Sequence, residues 1–287
     1  MKKIVFTLMA FMGLSAYAQT DAILWKVTGK GLTKPTYIFG TIHITCGADK
    51  VLTPQLDSLL AKTDILATEI NFTDPSEFRK IMASENEVAL KKINELLTSS
   101  EFKTVDSLMQ AIKNDTLIKY NNKSLMSLMS MFLISPQIVG CDKPEVIDLL
   151  ITIKAYGQAK KMIGLDGFEF QKALLDSIPL FEQKQWLLDF CNNLEKSKQE
   201  FKALETAYYN QKSTQLYNIS FKTNPEFAKY EDIFLTQRNT KWVKYLTNNM
   251  KTNSFFVAVG AAHLGGSNGL IALLKKQGYK LTPIRIR

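Results

Sequence analysis

The only two histidines of this chain lie in the same short pattern, and this repetition constrains the fold more than any other feature. Gly40-Thr41-Ile42-His43 follows the apolar run 36–39, and Gly260-Ala261-Ala262-His263 follows the apolar run 255–259. A run of β-branched and aromatic residues that is bounded by glycine predicts a buried strand that ends there. Glycine allows a sharp turn or a close approach of the backbone to a ligand. Each motif alone is compatible with a histidine that is merely hydrogen-bonded, but the matched pair favours a single site split across the chain.

The start of the chain has the pattern of a secretory signal peptide. Lys2 and Lys3 precede an apolar stretch over residues 4–14, and Ala16-Tyr17-Ala18 has the small-x-small form of a cleavage site. This predicts a signal peptide over residues 1–18 and an exported protein, either periplasmic or secreted. No later stretch reaches the ~18 consecutive apolar residues of a membrane-spanning helix, so we expect no transmembrane segment in the mature chain.

The remaining residues, 19–287, are expected to form a single α/β domain. Strands are predicted over 22–28, 36–39, 64–70, 161–165, 255–259 and 279–286, with helices between them. Strand, helix and strand at both ends of the chain predict a central mixed β-sheet with flanking helices. The middle, 74–250, is mostly helical and predicts a large helical insertion, with a loop over 135–143. Ser267 or Asn268 is expected to cap the helix that ends at residue 276.

The distribution of charge argues against a nucleic-acid partner, and the number of cysteines limits the possible disulfides. Lysine and arginine exceed aspartate and glutamate by 36 to 27, but the lysines alternate with acidic residues in the predicted helices. This pattern indicates solvated helix faces rather than a nucleic-acid surface, so we expect no nucleic-acid partner. A peptide or small-molecule substrate is expected if the candidate site is that of a hydrolase. Cys46, Cys141 and Cys191 form an odd set that allows at most one intramolecular disulfide. Cys46 follows His43 closely and either approaches the same site or packs as a small loop residue.

Two acidic residues complete a candidate metal site. Glu69 ends the predicted strand 64–70, and Asp166 follows the strand 161–165. Two histidines and a carboxylate suit a divalent metal that keeps an open position for water, so His43, His263 and Glu69 are the predicted ligands. Asp166 is a candidate fourth ligand or a residue that supports the ligands. The alternatives are a solvated carboxylate for Glu69 and a turn or cap residue for Asp166.

Several segments, in this order, resemble blocks of the TraB/GumN family, which includes the Tiki metalloproteases. The matching segments are Trp25, YIFGTIH ending in His43, TEI around Glu69, GLDGFEFQ from Gly164, QRNTKWV from Gln237, and FFVAVGAAHLGGSNGLIALLKKQGY from Phe255. The resemblance covers nearly the whole mature chain. It implies an exported or membrane-tethered α/β protein of the superfamily that also holds the erythromycin-esterase and ChaN-like haem-binding proteins.

The resemblance also implies roles for particular residues. His43 and His263 correspond to the two GxxH histidines, Glu69 to the acidic residue, and Arg238 with Asn239 to an Arg-Asn pair. Tiki-type members are described as Mn²⁺- or Co²⁺-dependent peptidases, so these metals are favoured over Zn²⁺ or Fe²⁺. The family commonly has Gly-Leu-Glu where this chain has Asp166, and the shorter side chain could turn a direct contact into a water-mediated one.

Three interpretations of these residues remain open. The first is a metal-dependent hydrolase, a peptidase or related amide or ester hydrolase, with Glu69, Asp166, Arg238 and Asn239 as its catalytic residues. In this role Arg238 either orients Glu69 or holds a substrate carboxylate or oxyanion. The alternative is a haem- or metal-binding protein without turnover that uses the same histidines. An inert domain with two hydrogen-bonded histidines, in which Arg238 forms only a surface ion pair, is a third interpretation.

Overall fold

A six-stranded mixed sheet forms the centre of the computed structural model, which describes residues 21–84, 87–223 and 225–287. The predicted signal peptide lies outside the described residues. The strands, in chain order, are β1 (Leu24–Thr28), β2 (Thr36–Thr41), β3 (Ile65–Thr68), β4 (Lys161–Gly164), β5 (Phe255–Gly260) and β6 (Lys280–Ile284). Their order across the sheet is β4-β3-β5-β2-β1-β6.

Four of the six strands run in the same direction, so their carboxyl ends lie along one edge of the sheet. β1 pairs antiparallel with β2 and β6, whereas β2 with β5, β5 with β3, and β3 with β4 pair in parallel. The carboxyl ends of β2, β5, β3 and β4 therefore meet at the same edge. In open α/β sheets this is the edge at which ligands bind.

Helices cover both faces of the sheet. The α-helices of the described residues are α1 (Pro54–Ala61), α2 (Pro75–Ser84), α3 (Ile93–Leu96), α4 (Ser99–Lys113), α5 (Leu125–Leu133), α6 (Pro136–Val139), α7 (Ile147–Gly157), α8 (Phe168–Asp176), α9 (Leu180–Asn192), α10 (Leu194–Tyr209), α11 (Ser213–Tyr217), α12 (Pro225–Ala228), α13 (Gln237–Asn249) and α14 (Leu270–Lys276). The architecture confirms the predicted α/β class, with a mixed sheet and flanking helices. Within the described residues, no helix is both long enough and apolar enough to cross a membrane.

Alternation along the strands explains the two layers of helices. In β5, Phe256 and Ala258 face a core shared with α1, α7 and α10, whereas Val257 and Val259 face a core shared with α13 and α14. Successive side chains of a strand point to opposite faces, so one apolar strand supplies both cores. β5 lies between β3 and β2 and is buried on both faces, which accounts for its continuous apolar sequence.

The helical middle of the chain divides between the sheet and a separate core. Helices α3, α4, α5, α6 and α9 bury a third apolar cluster that includes Leu125, Leu128 and Phe132. By contrast, α7, α10 and α13 pack directly on the sheet. The helical insertion therefore forms a core of its own with some of its helices and packs on the sheet with others.

Some predicted boundaries of strands and helices were wrong, because Gly40 lies within a strand and Asn268 does not cap a helix. The second strand does not end before Gly40, since Gly40 pairs with Val259 and β2 continues to Thr41. Neither Ser267 nor Asn268 is the residue before α14, which starts after Gly269, and the carbonyl of Asn268 accepts a hydrogen bond from Asn239. The predicted loop 135–143 contains the short helix α6.

Candidate metal and catalytic site

The parallel strands bring together the four residues that the sequence placed at strand ends. His43 follows β2, Glu69 follows β3, Asp166 follows β4, and His263 lies in the 3₁₀ turn Ala261–Leu264 that follows β5. β5 is the neighbour of both β2 and β3, so His263 emerges between His43 and Glu69. The two histidine motifs, which lie at opposite ends of the sequence, thus form one site.

The first motif glycine allows the two motifs to touch. A Cβ atom on Gly40 would lie 2.8 Å from both the Cα and the Cβ of Ala261. Such a distance is far shorter than an ordinary carbon–carbon contact of about 3.5–4.0 Å, so only glycine fits without displacing the second motif. Gly40 therefore serves for close approach of the backbone, and not for a turn.

The second motif glycine leaves a space between the candidate ligands. A Cβ atom on Gly260 would lie 3.3 Å from Oε1 of Glu69, 3.6 Å from Cδ2 of His263 and 3.9 Å from Nε2 of His43. The backbone N–H of Gly260 donates a hydrogen bond of 2.7 Å to the same Oε1. All three predicted ligands thus border a space that any side chain at this position would enter.

Glu69 is an ionised carboxylate in a nearly buried position. Its Oε2 accepts hydrogen bonds from Arg238 and, at 3.0 Å, from Nε2 of Gln171. Burial favours the neutral carboxyl group. The charges of the His263 ring, which is protonated in the acidic range where Glu69 titrates, and of the Arg238 guanidinium outweigh it and lower the pKa of Glu69 to about 2. The carboxylate therefore carries its negative charge at neutral pH.

His263 is buried, and its tautomer is fixed by Asn239. The side-chain nitrogen of Asn239 donates to the carbonyls of His263, at 3.2 Å, and of Asn268, at 2.8 Å. Its oxygen therefore faces Nδ1 of His263, at 2.7 Å, and this nitrogen must carry the proton. Burial lowers the pKa of His263 to about 4, so the ring is neutral at neutral pH and its Nε2 holds a lone pair.

His43 differs from His263 in being largely exposed. Three quarters of its side chain, 75%, is accessible to solvent, and Nδ1 lies 3.1 Å from Oδ2 of Asp148. The hydrogen bond to Asp148 raises the pKa of His43, in the opposite direction to the pKa of His263. The other oxygen of Asp148 accepts a hydrogen bond of 2.9 Å from Thr41.

Asp166 supports Arg238. Its Oδ2 accepts a bond of 2.8 Å from Nε of Arg238, while Oδ1 accepts bonds from Lys241, at 2.9 Å, and from the indole of Trp242, at 3.1 Å. With both oxygens used in this way, the geometry favours a supporting residue over a fourth ligand. The shorter aspartate side chain still reaches Arg238 directly, without an intervening water.

Arg238 joins the parts of the site. It is 6% exposed, so it is not the surface ion pair considered from the sequence, and its guanidinium contacts Glu69, Asp166 and the carbonyl of Phe234. Its Nη1 also lies 3.2 Å from Nε2 of His263. The guanidinium packs over the ring of Trp242, which in turn lies against the ring of His263.

Asp148, Gln171 and Trp242 are site residues that sequence reasoning missed. Asp148 lies on the buried side of α7, where an acidic residue beside Ile147 and Ile151 is unusual and gave the one usable signal. Gln171 and Trp242 stood within the segments that resemble the family, but nothing in their local pattern distinguished them from ordinary helix residues.

The site contains donor atoms of the types that bind divalent metals, but they are not arranged as a ligand set around one point. Within the described residues, no group of three or more His, Cys, Asp or Glu side chains is arranged so that it could hold a metal ion. The nearest approach of His263 Nε2 to Glu69 Oε1 is 4.0 Å. The lone pair of His263 faces Arg238 instead, so a metal bound at this nitrogen and the arginine contact exclude each other.

The fold and site define an α/β protein with two GxxH histidines and a buried Glu-Arg pair at one sheet edge. A model of the TraB/PrgY/gumN family matches residues 23–283, and the chain therefore belongs to this family. This confirms the family that the sequence motifs indicated. Neither the curated proteins nor the solved structures provided a match.

Proposed function

We propose that this protein is a metal-dependent hydrolase that acts on a peptide or a related amide or ester. The observation that carries the proposal is the convergence of Glu69 Oε1, the His263 ring and His43 Nε2 around the space beside Gly260. Two imidazoles and a carboxylate are the donor set that catalytic divalent metals use with an open position for water. Mn²⁺ or Co²⁺ is the proposed metal, with Zn²⁺ or Fe²⁺ as the other candidates.

The chemistry of the donors fits such an ion. Nε2 of His263 is a lone-pair donor because Nδ1 carries the proton, which it donates in a hydrogen bond to Oδ1 of Asn239, and Glu69 is already ionised. The ion would be held by His43, His263 and Glu69, provided that Arg238 releases Nε2 of His263. When bound, a divalent metal lowers the pKa of a coordinated water and polarises the substrate carbonyl.

The surrounding residues of the chain have complementary roles in this proposal. Oε1 of Glu69 faces the histidines and accepts the N–H of Gly260. This oxygen acts either as the third ligand of the ion or as the base that accepts a proton from the attacking water. Arg238 supplies positive charge for a developing oxyanion or a substrate carboxylate. Asp166 fixes the orientation of Arg238, and Asn239 fixes that of His263.

The metal is tested first by mass spectrometry of metal content. Protein purified without chelators is reloaded separately with Mn²⁺, Co²⁺, Zn²⁺ and Fe²⁺ at neutral pH or above, because the metal must displace a proton from His43. We expect a single ion per chain in the wild type, and its loss in both His43→Ala and His263→Ala. Tyr156→Ala removes an equally exposed ring, 73% accessible, at the far end of α7 and is expected to retain the ion.

The reaction is tested next on the loaded protein. Peptide and ester substrates should be hydrolysed only with added divalent metal, and Glu69→Gln should abolish hydrolysis without loss of the fold. If no metal binds above the level of the histidine variants, the hydrolase proposal fails. Haem titration then decides the alternative, for which a Soret band that His43→Ala removes is the supporting result.

Gly260→Ala should fill the space between the candidate ligands and so weaken metal binding, while leaving the stability of the fold nearly unchanged. The backbone at Gly260 has φ −49°, which alanine adopts freely, so we expect a change in unfolding free energy within about 1 kcal/mol. Metal affinity should nevertheless fall by at least about 10-fold, since the new methyl group lies among the three donors.

Gly157→Ala is the matched control for this substitution. No atom lies within 4 Å of the position that a Cβ on Gly157 would occupy, at the end of α7. This variant should bind metal like the wild type. If Gly260→Ala also bound metal normally, the space beside Gly260 would not be the metal site.

We also propose that the protein acts outside the cytoplasm, in the periplasm or after secretion. A disulfide joins Cys46 and Cys141, and such bonds persist mainly in oxidising compartments. The basic and apolar pattern of residues 1–18 agrees with this location. Localisation of a tagged full-length chain, compared with a chain that lacks residues 2–18, tests it.

A further inference from the structure

His43 can donate a lone pair to the site through Nε2 only if its ring keeps one orientation and carries its proton on Nδ1. Because the ring is exposed, a neighbouring group has to fix both. A solvated imidazole exchanges its proton between Nδ1 and Nε2, and only the nitrogen without a proton can donate to a metal. His263 obtains this restraint from Asn239 inside the core. His43 lies outside the core, with 75% of its side chain accessible, and in the described part of the chain the side-chain hydrogen bond of its ring is to Asp148.

Asp148 is itself rigidly placed. Its residue is 7% exposed, and it lies in the first turn of α7, which packs on the sheet through Ile147, Ile151 and Ala155. Oδ1 accepts a bond of 2.9 Å from Thr41, the last residue of β2, and Oδ2 faces Nδ1 of His43 at 3.1 Å. The carboxylate thus connects the helix with the strand end that carries the histidine.

Two further links hold the loops of His43 and Asp148 together. Thr45 and Glu145 pair through two backbone hydrogen bonds, of 3.0 and 2.8 Å, between the segment after His43 and the segment before α7. Next to this pair, the disulfide joins Cys46 to Cys141. These links follow His43 in the chain, and the Thr41–Asp148 hydrogen bond precedes it, so the segment that carries the histidine is tied to the segment of the carboxylate on both sides of His43.

We propose that Asp148 is the positioning residue of His43: its carboxylate accepts a hydrogen bond from Nδ1–H, so that in the neutral ring Nε2 keeps its lone pair towards the site. A carboxylate that receives the other N–H of a ligating histidine fixes the tautomer and the ring orientation and makes the ligand more basic. The role as a metal ligand rests on the function proposed above. The tautomer itself is a property of the metal-free protein.

The first test is ¹⁵N-histidine NMR of the metal-free protein at a pH where both rings are neutral. The chain has only two histidines, and His263→Ala assigns the signals. In the wild type, we expect both rings to carry the proton on Nδ1. In Asp148→Leu, the signals of His43 should move towards the Nε2–H form, while those of His263 stay unchanged and report that the fold is intact.

Two results would overturn the proposal. One is a wild-type His43 with its proton on Nε2, which decides the matter even if Asp148→Leu does not fold. The other is an unchanged Nδ1–H form of His43 in a folded Asp148→Leu variant. Neither result depends on whether the protein binds a metal or hydrolyses anything.

The second test measures affinity for Mn²⁺ by isothermal titration. Asp148→Leu should bind the ion about 10- to 100-fold more weakly than the wild type, the usual loss when such a supporting residue is removed. Asp189→Leu, which removes an exposed acid from α9, is the matched control and should bind normally. Absence of Mn²⁺ binding in the wild type contradicts the metal proposal alone, whereas equal binding by wild type and Asp148→Leu contradicts the role of Asp148.

Discussion

Arg238→Met is expected to lower the free energy of unfolding by about 3–5 kcal/mol, because it leaves a buried carboxylate without its partner. Glu69 would lose its contact with the guanidinium and keep the neutral donors Gln171 and Gly260. Asp166 would keep Lys241 and Trp242. Methionine has a flexible apolar chain that fills irregular gaps, so most of the loss should come from the charge. Urea denaturation at neutral pH measures the effect.

Arg79→Met provides the control, since Arg79 is an exposed arginine of α2. Its free energy of unfolding should stay within about 0.5 kcal/mol of the wild type. If Arg238→Met were equally mild, the guanidinium would not be holding the carboxylates of the site together.

The same variant should show a distinct pH dependence. The pKa of Glu69 is lowered from 4.5 to about 2, so the ionised form is stabilised by folding. This contribution is fully present above the unfolded-state value of 4.5 and is lost as the pH falls towards 2. Because Arg238 is one cause of the lowered pKa, the difference in stability between wild type and Arg238→Met should shrink over that interval.

The strand-end part of the site could be predicted because its signals are local. Apolar runs mark buried strands, and the residue after each run must lie at a strand end. Once the strands are parallel, His43, Glu69, Asp166 and His263 meet at one edge without further information. The remaining uncertainty lay in strand pairing, which depends on contacts between distant segments.

The supporting residues could not be predicted because their signals are not local. Asp148 and Gln171 lie on helices whose rotation about their axes, and so whose partners, are set by packing against the rest of the fold. The two motif glycines were predicted as sites of turns or close approach, and only the structure decides for close approach in both. A short pattern thus located the ligand candidates but not the network that orients them.

The disulfide is a second case in which sequence left several choices open. Three cysteines allow three possible pairs, and their spacing gives no preference. The structure pairs Cys46 with Cys141, since the Thr45–Glu145 bridge brings their segments side by side, and leaves Cys191 as a free thiol in the separate helical core. Cys46 lies in the loop that follows β2, three residues after His43, and its thiol is used in the disulfide.

Replacing both bridged cysteines, Cys46→Ser together with Cys141→Ser, should destabilise the protein by about 2–5 kcal/mol. The bond joins residues that are 95 positions apart, so it removes much conformational freedom from the unfolded chain. Its loss should also free the loops that carry His43 and Asp148, and amide hydrogens of Thr45 and Glu145 should exchange faster. Urea denaturation and hydrogen exchange measure the two effects.

Cys191→Ser is the control, because it removes a thiol without breaking a bond. Reductant should lower the stability of the wild type and of Cys191→Ser to the level of the double variant, which should itself be insensitive to reductant. Wild-type stability that is equal with and without reductant would mean that Cys46 and Cys141 are not joined in solution. In that case the two loops would be held by hydrogen bonds, among them the Thr45–Glu145 bridge and the bond between His43 and Asp148.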